Sequence, residues 1–453
     1  MEIQDVISSQ REFFKTQQTK SIPFRKMYLE KLRDVIIKND GLLYEAIDRD
    51  FGKSKFDTLT TEISFVLNDI DYYLKNLNSL SKPKKVRTNL VNQIGKSRIY
   101  QDPLGCVLVI GAWNYPYQLS LSPMIAAIAA GNCCILKPSE IAFHTMKAMA
   151  KVINESFPSE YLYVYEGGIE ETTELLKYRF DKIFFTGSTK VGKIIYKAAA
   201  EHLTPVVLEL GGKSPVIITK HANLEIAAKR IVWGKFLNAG QTCVAPDYLL
   251  VEESVEEQFI EMLRKFIREF QYEPDSPQYT RIINSRNFQR LIRLIDSEKV
   301  YFGGNFNEEK LYIEPTILHP VTWEDSIMEE EIFGPILPVI SFKNFNTVLN
   351  TIVEMEKPLA AYLFTSNAEE KGLFTRKLSF GGGCINDVVM HLSNDHLPFG
   401  GTGASGIGNY HGKYGFEAFS HQKSVLEKAT WGEPDIKYPP YSDKKLSWIR
   451  KLL

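Results

Sequence analysis

Lys182-Ile183-Phe184-Phe185-Thr186-Gly187-Ser188-Thr189-Lys190-Val191-Gly192 is the stretch whose reading decides the fold. Its apolar start reads as a buried strand, Gly187 as a tight turn, and Val191 to Glu201 carries the spacing of a helix. A glycine turn opening a helix offers unpaired N–H groups and a positive dipole end to a phosphate. The spacing is Gly-x4-Gly rather than the Gly-x-Gly-x-x-Gly of ordinary dinucleotide-binding domains. A tight strand-to-helix turn without a ligand therefore stays open as the alternative.

Working outward, Cys106 to Ile110, Cys133 to Leu136 and Tyr161 to Tyr165 are further short apolar runs, and Thr145 to Ser156 between them is helical in period. Strands alternating with helices predict a parallel sheet covered on both faces. A second cycle runs from Gly211 to about residue 395, with strands at Ser214 to Ile218 and Tyr248 to Val251 and a helix at Leu224 to Phe236. The first eighty residues read as amphipathic helices. Ser81-Lys82-Pro83-Lys84-Lys85 breaks that pattern, and Ser97 to Gln101 reads as an exposed strand or arm. The expected fold is α/β, with two doubly wound parallel-sheet domains, one of them Rossmann-like, plus a small appended element.

Composition narrows the function. Fifty-four basic against 55 acidic side chains give a net charge of −1, which supplies no basic footprint for a nucleic acid, and no such partner is expected. The acidic N-terminus lacks the charged and apolar regions of a signal peptide. The longest nearly apolar run, Met124 to Leu136, is broken by Gly131 and Asn132, so no transmembrane segment is expected. Cys106, Cys133, Cys134, Cys243 and Cys384 are odd in number, widely spaced and without Cys-x-x-Cys. That pattern opposes a disulfide framework or a zinc site, predicts reduced thiols in the cytoplasm, and implies no metal.

Cys243 stands apart among the five. Asn238-Ala239-Gly240-Gln241-Thr242-Cys243 is a small, polar loop between a helix and a strand, where a nucleophile is well placed. The competing reading is an inert packing thiol. A thiol nucleophile needs a base and an oxyanion donor. Glu209 closes an apolar strand, where burial raises a carboxyl toward the range useful to a base, although a buried ion pair would place it there equally well. Asn114, after the strand ending at Ile110, is placed to aim an amide at an oxyanion or to cap a helix. Lys137 and Glu140, after a strand end, have the groups to grip a ribose; the alternative is a solvated loop with Ser139 capping a helix.

Six segments in order resemble the aldehyde dehydrogenase superfamily: Trp113-Asn114-Tyr115-Pro116, Leu136-Lys137-Pro138-Ser139-Glu140, Phe185-Thr186-Gly187-Ser188, Leu208-Glu209-Leu210-Gly211-Gly212-Lys213, Gly240-Gln241-Thr242-Cys243 and Glu331-Ile332-Phe333-Gly334-Pro335. Gln241 to Tyr248, Leu397-Pro398-Phe399-Gly400-Gly401, Tyr410 to Phe416 and Tyr438-Pro439-Pro440-Tyr441 further resemble its class 3 and fatty aldehyde branch.

The resemblance implies an NAD(P)-dependent oxidation of an aldehyde to its carboxylic acid. Cys243 would be the nucleophile, forming a thiohemiacetal and then a thioester. Asn114 and the Cys243 backbone N–H would form the oxyanion hole. Glu209 would activate the deacylating water, with Glu331 both a ribose ligand and a rival base. Phe333 would pack near the nicotinamide ribose, Lys137 and Glu140 near the adenine ribose, and Gly187, Ser188 and Gly192 at the glycine turn.

Residues 1–80 and 103–210 would then form the NAD(P)-binding domain, 211–395 the catalytic domain, and 81–102 with 396–453 the oligomerisation elements and tail. A homodimer is implied, and no hydrophobic C-terminal anchor. Glu140 favours NAD, because a carboxylate accepts a ribose hydroxyl and repels a 2′-phosphate; NADP remains possible. The basic, partly apolar tail, with Leu446, Ile449, Leu452 and Leu453 at helical steps, fits a partner subunit or a weak peripheral membrane contact. Medium or long aliphatic, or aromatic, aldehydes are the expected substrates. A coenzyme-A-acylating dehydrogenase and a non-catalytic structural protein on the same fold are the rival readings.

Overall fold

The computed structural model describes residues 2–452, so Leu453 of the tail lies outside the described residues. The stretch quoted first forms the strand Lys182–Thr186 and the helix Thr189–Glu201. That strand lies inside a six-stranded sheet in the order Gly406–Ile407, Val206–Glu209, Lys182–Thr186, Cys106–Ile110, Cys133–Lys137, Leu162–Val164. Five strands are parallel, with Val107 opposite Lys182 and Thr186 opposite Glu209. Their side chains are almost all buried, as expected of strands covered on both faces.

The strand order diverges between Cys106–Ile110 and Lys182–Thr186, so connections leave in opposite directions there. Open α/β sheets place their ligands at the carboxyl ends of strands beside such a switch point. Asn114, Lys137, Gly187 and Glu209 all lie at or just beyond those ends.

A second, seven-stranded sheet has the order Val300–Phe302, Thr316–Leu318, Ile336–Phe342, Tyr248–Glu252, Pro215–Ile218, Ala360–Phe364, Gly382–Ile385. The chain leaves the first sheet at Glu209 and enters the second at Pro215. Residues 210–214 therefore join the carboxyl end of one sheet to the amino end of the other. Cys243 precedes the strand Tyr248–Glu252, and Glu331 precedes Ile336–Phe342, so both also lie at amino ends of strands in the second sheet.

Three features depart from the sequence expectations. Each large sheet carries one antiparallel edge, Gly406–Ile407 in the first and Val300–Phe302 in the second. The tail beyond residue 396 is divided: Gly406–Ile407 joins the first sheet, while Ser420–Lys428 pairs with Gly95–Pro103, which pairs in turn with Lys84–Val86. Ser139 caps no helix. The helix begins at Phe143, and Asp50 caps it from outside, accepting from the N–H groups of His144 at 3.1 Å and Thr145 at 2.8 Å.

Among the described residues, no helix is long and apolar enough to cross a membrane. The run from Met124 ends the buried helix Gln118–Ala130 and continues, after Gly131, into the strand Cys133–Lys137.

Candidate active site

The loop carrying Cys243 is built with unusual backbone. Asn238 and Ala239 have φ of 53° and 52°, and Gly240 follows at 73°. Left-handed conformations cost non-glycine residues energy and persist only where the surroundings hold them. Gln241, wholly buried, supplies that hold: its Nε2 donates to the carbonyls of Asn238 (3.1 Å) and Arg281 (3.2 Å), and its Oε1 accepts from Ile283 N–H at 3.0 Å. A Cβ on Gly240 would collide with the Gly334 carbonyl, so only glycine lets this loop approach the one beginning at Glu331. The Tyr362 hydroxyl donates to the Val244 carbonyl at 2.6 Å and fixes the far side.

Cys243 retains some solvent access, whereas Cys106, Cys133 and Cys134 are sealed in strands. Its thiol is pushed up to about 12, by burial first and then by Glu331 and Glu209, while the Cys243 and Val244 backbone N–H groups act in the opposite direction. Two carboxylates are therefore electrostatic neighbours of the sulfur, and two N–H groups stand ready for negative charge at the same place.

Asn114 is buried, and its side-chain amide donates to the Gln241 carbonyl at 3.0 Å, two residues before the cysteine. Its own carbonyl accepts from Asn238 Nδ2 at 2.9 Å. An amide nitrogen carries two N–H groups, so one is spent on positioning and a second is left. The helix-capping alternative fails, because the following helix, Gln118–Ala130, has no such cap and the N–H groups of Tyr117 and Gln118 go to Glu62.

Glu209 is buried, and neither carboxylate oxygen has a hydrogen-bond partner. Burial alone holds its carboxyl well above the ordinary value. The paired-carboxylate alternative therefore fails, and the protonatable oxygens are free for water. Glu331 is pushed up to about 8, by burial and then by Asp247, with the Gly212 N–H, Lys213 and Arg290 opposing. Its carboxylate lies so close to Gly211 that no Cβ fits there.

The strand ends on the other side present the dinucleotide candidates. Lys137 is buried, with Nζ 2.8 Å from the Pro138 carbonyl and 3.6 Å from Glu140, whose side chain is 40% exposed. Ser188 caps the helix Thr189–Glu201, accepting from Val191 N–H. Gly187 donates its N–H to the Glu209 carbonyl at 3.0 Å, tying the turn to the strand that ends at Glu209. Gly192 is buried against Leu210, so its reason is close packing of helix on strand. Phe333 has φ of 49° and meets Trp113 edge-on at 5.4 Å. The residues fit a dinucleotide: a helix N-terminus of adequate length, a buried lysine beside an accessible carboxylate, and Thr186 Oγ1 buried without a partner at the turn.

Two sheets that meet across one linker, with a thiol, a carboxamide and two elevated carboxyls between them, define an α/β protein with a candidate active site at Cys243. The chain belongs to the aldehyde dehydrogenase family, whose model matches residues 1–425. It is 48% identical to the "4,4'-diaponeurosporen-aldehyde dehydrogenase" of Staphylococcus aureus, across 96% of this chain and 95% of that protein. It is 44% identical to the "Aldehyde dehydrogenase, dimeric NADP-preferring" of Rattus norvegicus, across 97% and 98%. The solved structure described as "Substrate bound state of Staphylococcus Aureus AldH" matches with a TM-score of 0.97 at 46% identity, across 100% of this chain and 99% of that one. The protein is an NAD(P)-dependent enzyme that oxidises an aldehyde to the acid, in the class 3 and fatty aldehyde branch.

Sequence reasoning passed over the clamp that seats Glu331. Lys213 Nζ donates to Asp247 Oδ2 at 2.6 Å and to the carbonyls of Ile327 and Glu330, while Asp247 Oδ1 accepts from Ile332 N–H at 2.9 Å. Both residues stand inside quoted motifs. The available signal was a charge of each sign at the edge of an apolar strand.

Proposed function

We propose that Cys243 is the nucleophile, that Asn114 Nδ2 and the Cys243 backbone N–H receive the oxyanion, and that Glu209 and Glu331 move the protons. The observation carrying this reading is the convergence at Cys243: two carboxyls raise its thiol, two backbone N–H groups favour its anion, and Asn114 is hydrogen-bonded to its loop.

A carboxylate in its ionised form takes the Cys243 proton, and the sulfur adds to the aldehyde carbon. The negative oxygen that forms is held by preorganised N–H donors, which cost no reorganisation when charge develops. Lys137, Glu140, the Gly187-Ser188 turn and Phe333 would hold NAD(P), which would supply the acceptor for the hydride leaving that carbon. Glu209, with both oxygens unpartnered, then deprotonates the water that attacks the thioester carbon; the C–S bond breaks and the acid leaves. A base devoted to water favours hydrolysis over transfer to coenzyme A. The presence of nucleophile, base and amide together speaks against a non-catalytic structural role.

Residues 1–80 and 103–210 form the NAD(P)-binding domain in this reading, and 211–395 the catalytic domain. NAD is the preferred cofactor, because Glu140 is accessible and acidic. The substrate class is medium or long aliphatic, or aromatic, aldehydes, in line with the diaponeurosporen-aldehyde in one relative's name. A homodimer in the cytoplasm completes the reading. The dimer is supported by the name of a relative and by Val425 and Leu426, exposed on Ser420–Lys428, the edge strand of its three-stranded sheet. The tail helix Asp443–Leu452 leaves Leu446 and Trp448 exposed, which suits a partner subunit.

The test is Cys243→Ala with decanal and NAD. No NADH should form while NAD still binds, and product from the wild type should be decanoic acid without added coenzyme A. Turnover in the variant would overturn the assignment.

A further inference from the structure

Apart from every group assigned a role above, yet wired to them, lies a fully buried ion pair. Lys53 and Glu62 expose 1% and 0% of their side chains, with Nζ 3.2 Å from Oε1. Glu62 sits in a π-helical turn, Leu59–Ile63, of the kind that recurs at functional sites because its extra residue re-aims a side chain. Its other oxygen, Oε2, accepts from the N–H groups of Tyr117 at 3.0 Å and Gln118 at 2.9 Å. Those residues open the helix Gln118–Ala130, whose own sequence provides no side-chain cap.

The two ends of the pair reach the same short turn. Lys53 Nζ lies 4.5 Å from the centre of the Tyr115 ring, and the Tyr115 hydroxyl is 2.7 Å from Thr242 Oγ1, the residue before the nucleophile. Asn114, next to Tyr115, donates to Gln241 in the same loop. Residues 114–118 are thus gripped from one side by Glu62 and Lys53 and from the other by the cysteine loop. A buried pair of charges is a costly way to cap a helix, since an apolar core of equal volume is often as stable. It does fix geometry, because a buried carboxylate with three donors has a single low-energy place.

We propose that Glu62, with Lys53, is a positioning residue for the oxyanion hole: it sets the place of the Asn114 carboxamide relative to Cys243 through the turn 114–118. The inference rests on the oxyanion reading of Asn114 and adds to it a fully buried residue that acts through the turn. Displacements of about 1 Å in a reacting group cost on the order of a hundredfold in rate.

The experiment is a double-mutant cycle on the full-length enzyme, with Glu62→Gln, Asn114→Ala and the double variant, using decanal and NAD. Glu62→Gln should lower kcat by about tenfold to a hundredfold, with the dissociation constant of NAD unchanged. In the Asn114→Ala background the same change should cost almost nothing, because the group being positioned is gone. An unchanged kcat in Glu62→Gln overturns the proposal, as does an equal loss in both backgrounds, which is the signature of a general structural role. A normal kcat in Asn114→Ala alone instead removes the oxyanion assignment itself. If Glu62→Gln does not fold, Lys53→Met takes its place in the cycle under the same criteria, since it removes the charge that holds Glu62 Oε1.

Discussion

Gly211 and Glu331 are in contact: a methyl group on Gly211 would overlap the Glu331 carboxylate, with Oε2 nearest. The linker between the two sheets is therefore the seat of the second carboxyl, and the Gly212 N–H helps hold it. Glu209, at the other end of the same linker, is two residues away in sequence. The chain thus passes from one candidate base to the seat of the other while crossing from the first sheet to the second.

Gly211→Ala should therefore act as a displacement of Glu331. Gly211 is absent from the positive-φ positions, so alanine meets only the side-chain clash. The expected result is a fall of about tenfold or more in kcat/KM, from misplacement of a catalytic group, with the unfolding temperature nearly unchanged. NADH absorbance and thermal denaturation measure the two. Full activity would mean that Glu331 needs no fixed seat.

Glu331 ionises near 8 and is the first charged group raising the Cys243 thiol. Above that pH its negative charge opposes the thiolate. Glu331→Gln removes the charge, so the Cys243 pKa falls and the thiolate fraction at a fixed alkaline pH rises. Alkylation of Cys243 by iodoacetamide should then be faster in the variant than in the wild type above about pH 8. Slower alkylation would show instead that Glu331 takes the thiol proton, and that its electrostatic cost is secondary.

Glu209→Gln should separate the two halves of the reaction. The carboxyl has no partner to lose, so the variant folds with little change. Deacylation should stall, giving one rapid equivalent of NADH per site followed by a steady rate lower by about a hundredfold or more, the usual scale of general-base catalysis. A vanished burst would place Glu209 in the first half-reaction. Stopped-flow absorbance makes the measurement.

Asp50 offers a stability test away from the chemistry. It accepts from His144 N–H, Thr145 N–H and Thr145 Oγ1 at 3.1, 2.8 and 2.6 Å, and so caps the helix Phe143–Asn154 across the fold. Asp50→Ala should cost about 1–2 kcal/mol, the scale of a lost cap, seen as a lower denaturation midpoint. No shift would mean that the three donors find other acceptors.

Much of this was legible from residues because each feature was local. The strand, turn and helix at Lys182 to Glu201, the strand Cys106–Ile110 and the helix Leu224–Phe236 follow from period and turn chemistry alone. Asn114 and Glu209 stood out as polar groups beside apolar runs and Cys243 as a thiol in a small, polar loop, whereas Glu331 came only from the family resemblance. What stayed hidden depends on contacts distant in sequence. Asp50 caps a helix some ninety residues on, Glu62 caps one that begins at Gln118, and Gly406–Ile407 returns to the first sheet beside Glu209. Nothing local in the motif Asp-Arg-Asp at residues 48–50 marks its last member as a cap. The left-handed Asn238 and Ala239 were equally invisible, because Gln241, bonded to the distant Arg281 and Ile283, holds that loop.

Cofactor choice is the last test, and it turns on Glu140. Its carboxylate is 3.6 Å from the buried Lys137, which has the Pro138 carbonyl as its other acceptor. Burial lowers the Lys137 pKa and Glu140 raises it, so the acid helps keep the lysine charged. A carboxylate at this place accepts ribose hydroxyls and repels a 2′-phosphate, so the wild type should favour NAD. Glu140→Gln should retain a hydrogen-bond acceptor while removing the repulsion. The ratio of kcat/KM for NADP to that for NAD should then rise by about tenfold, or roughly 1.4 kcal/mol, mainly through the KM for NADP. A wild type that already prefers NADP, with Glu140→Gln leaving the ratio where it was, would show that the 2′ position lies away from Glu140 and would reassign the ribose contacts to Lys137 alone.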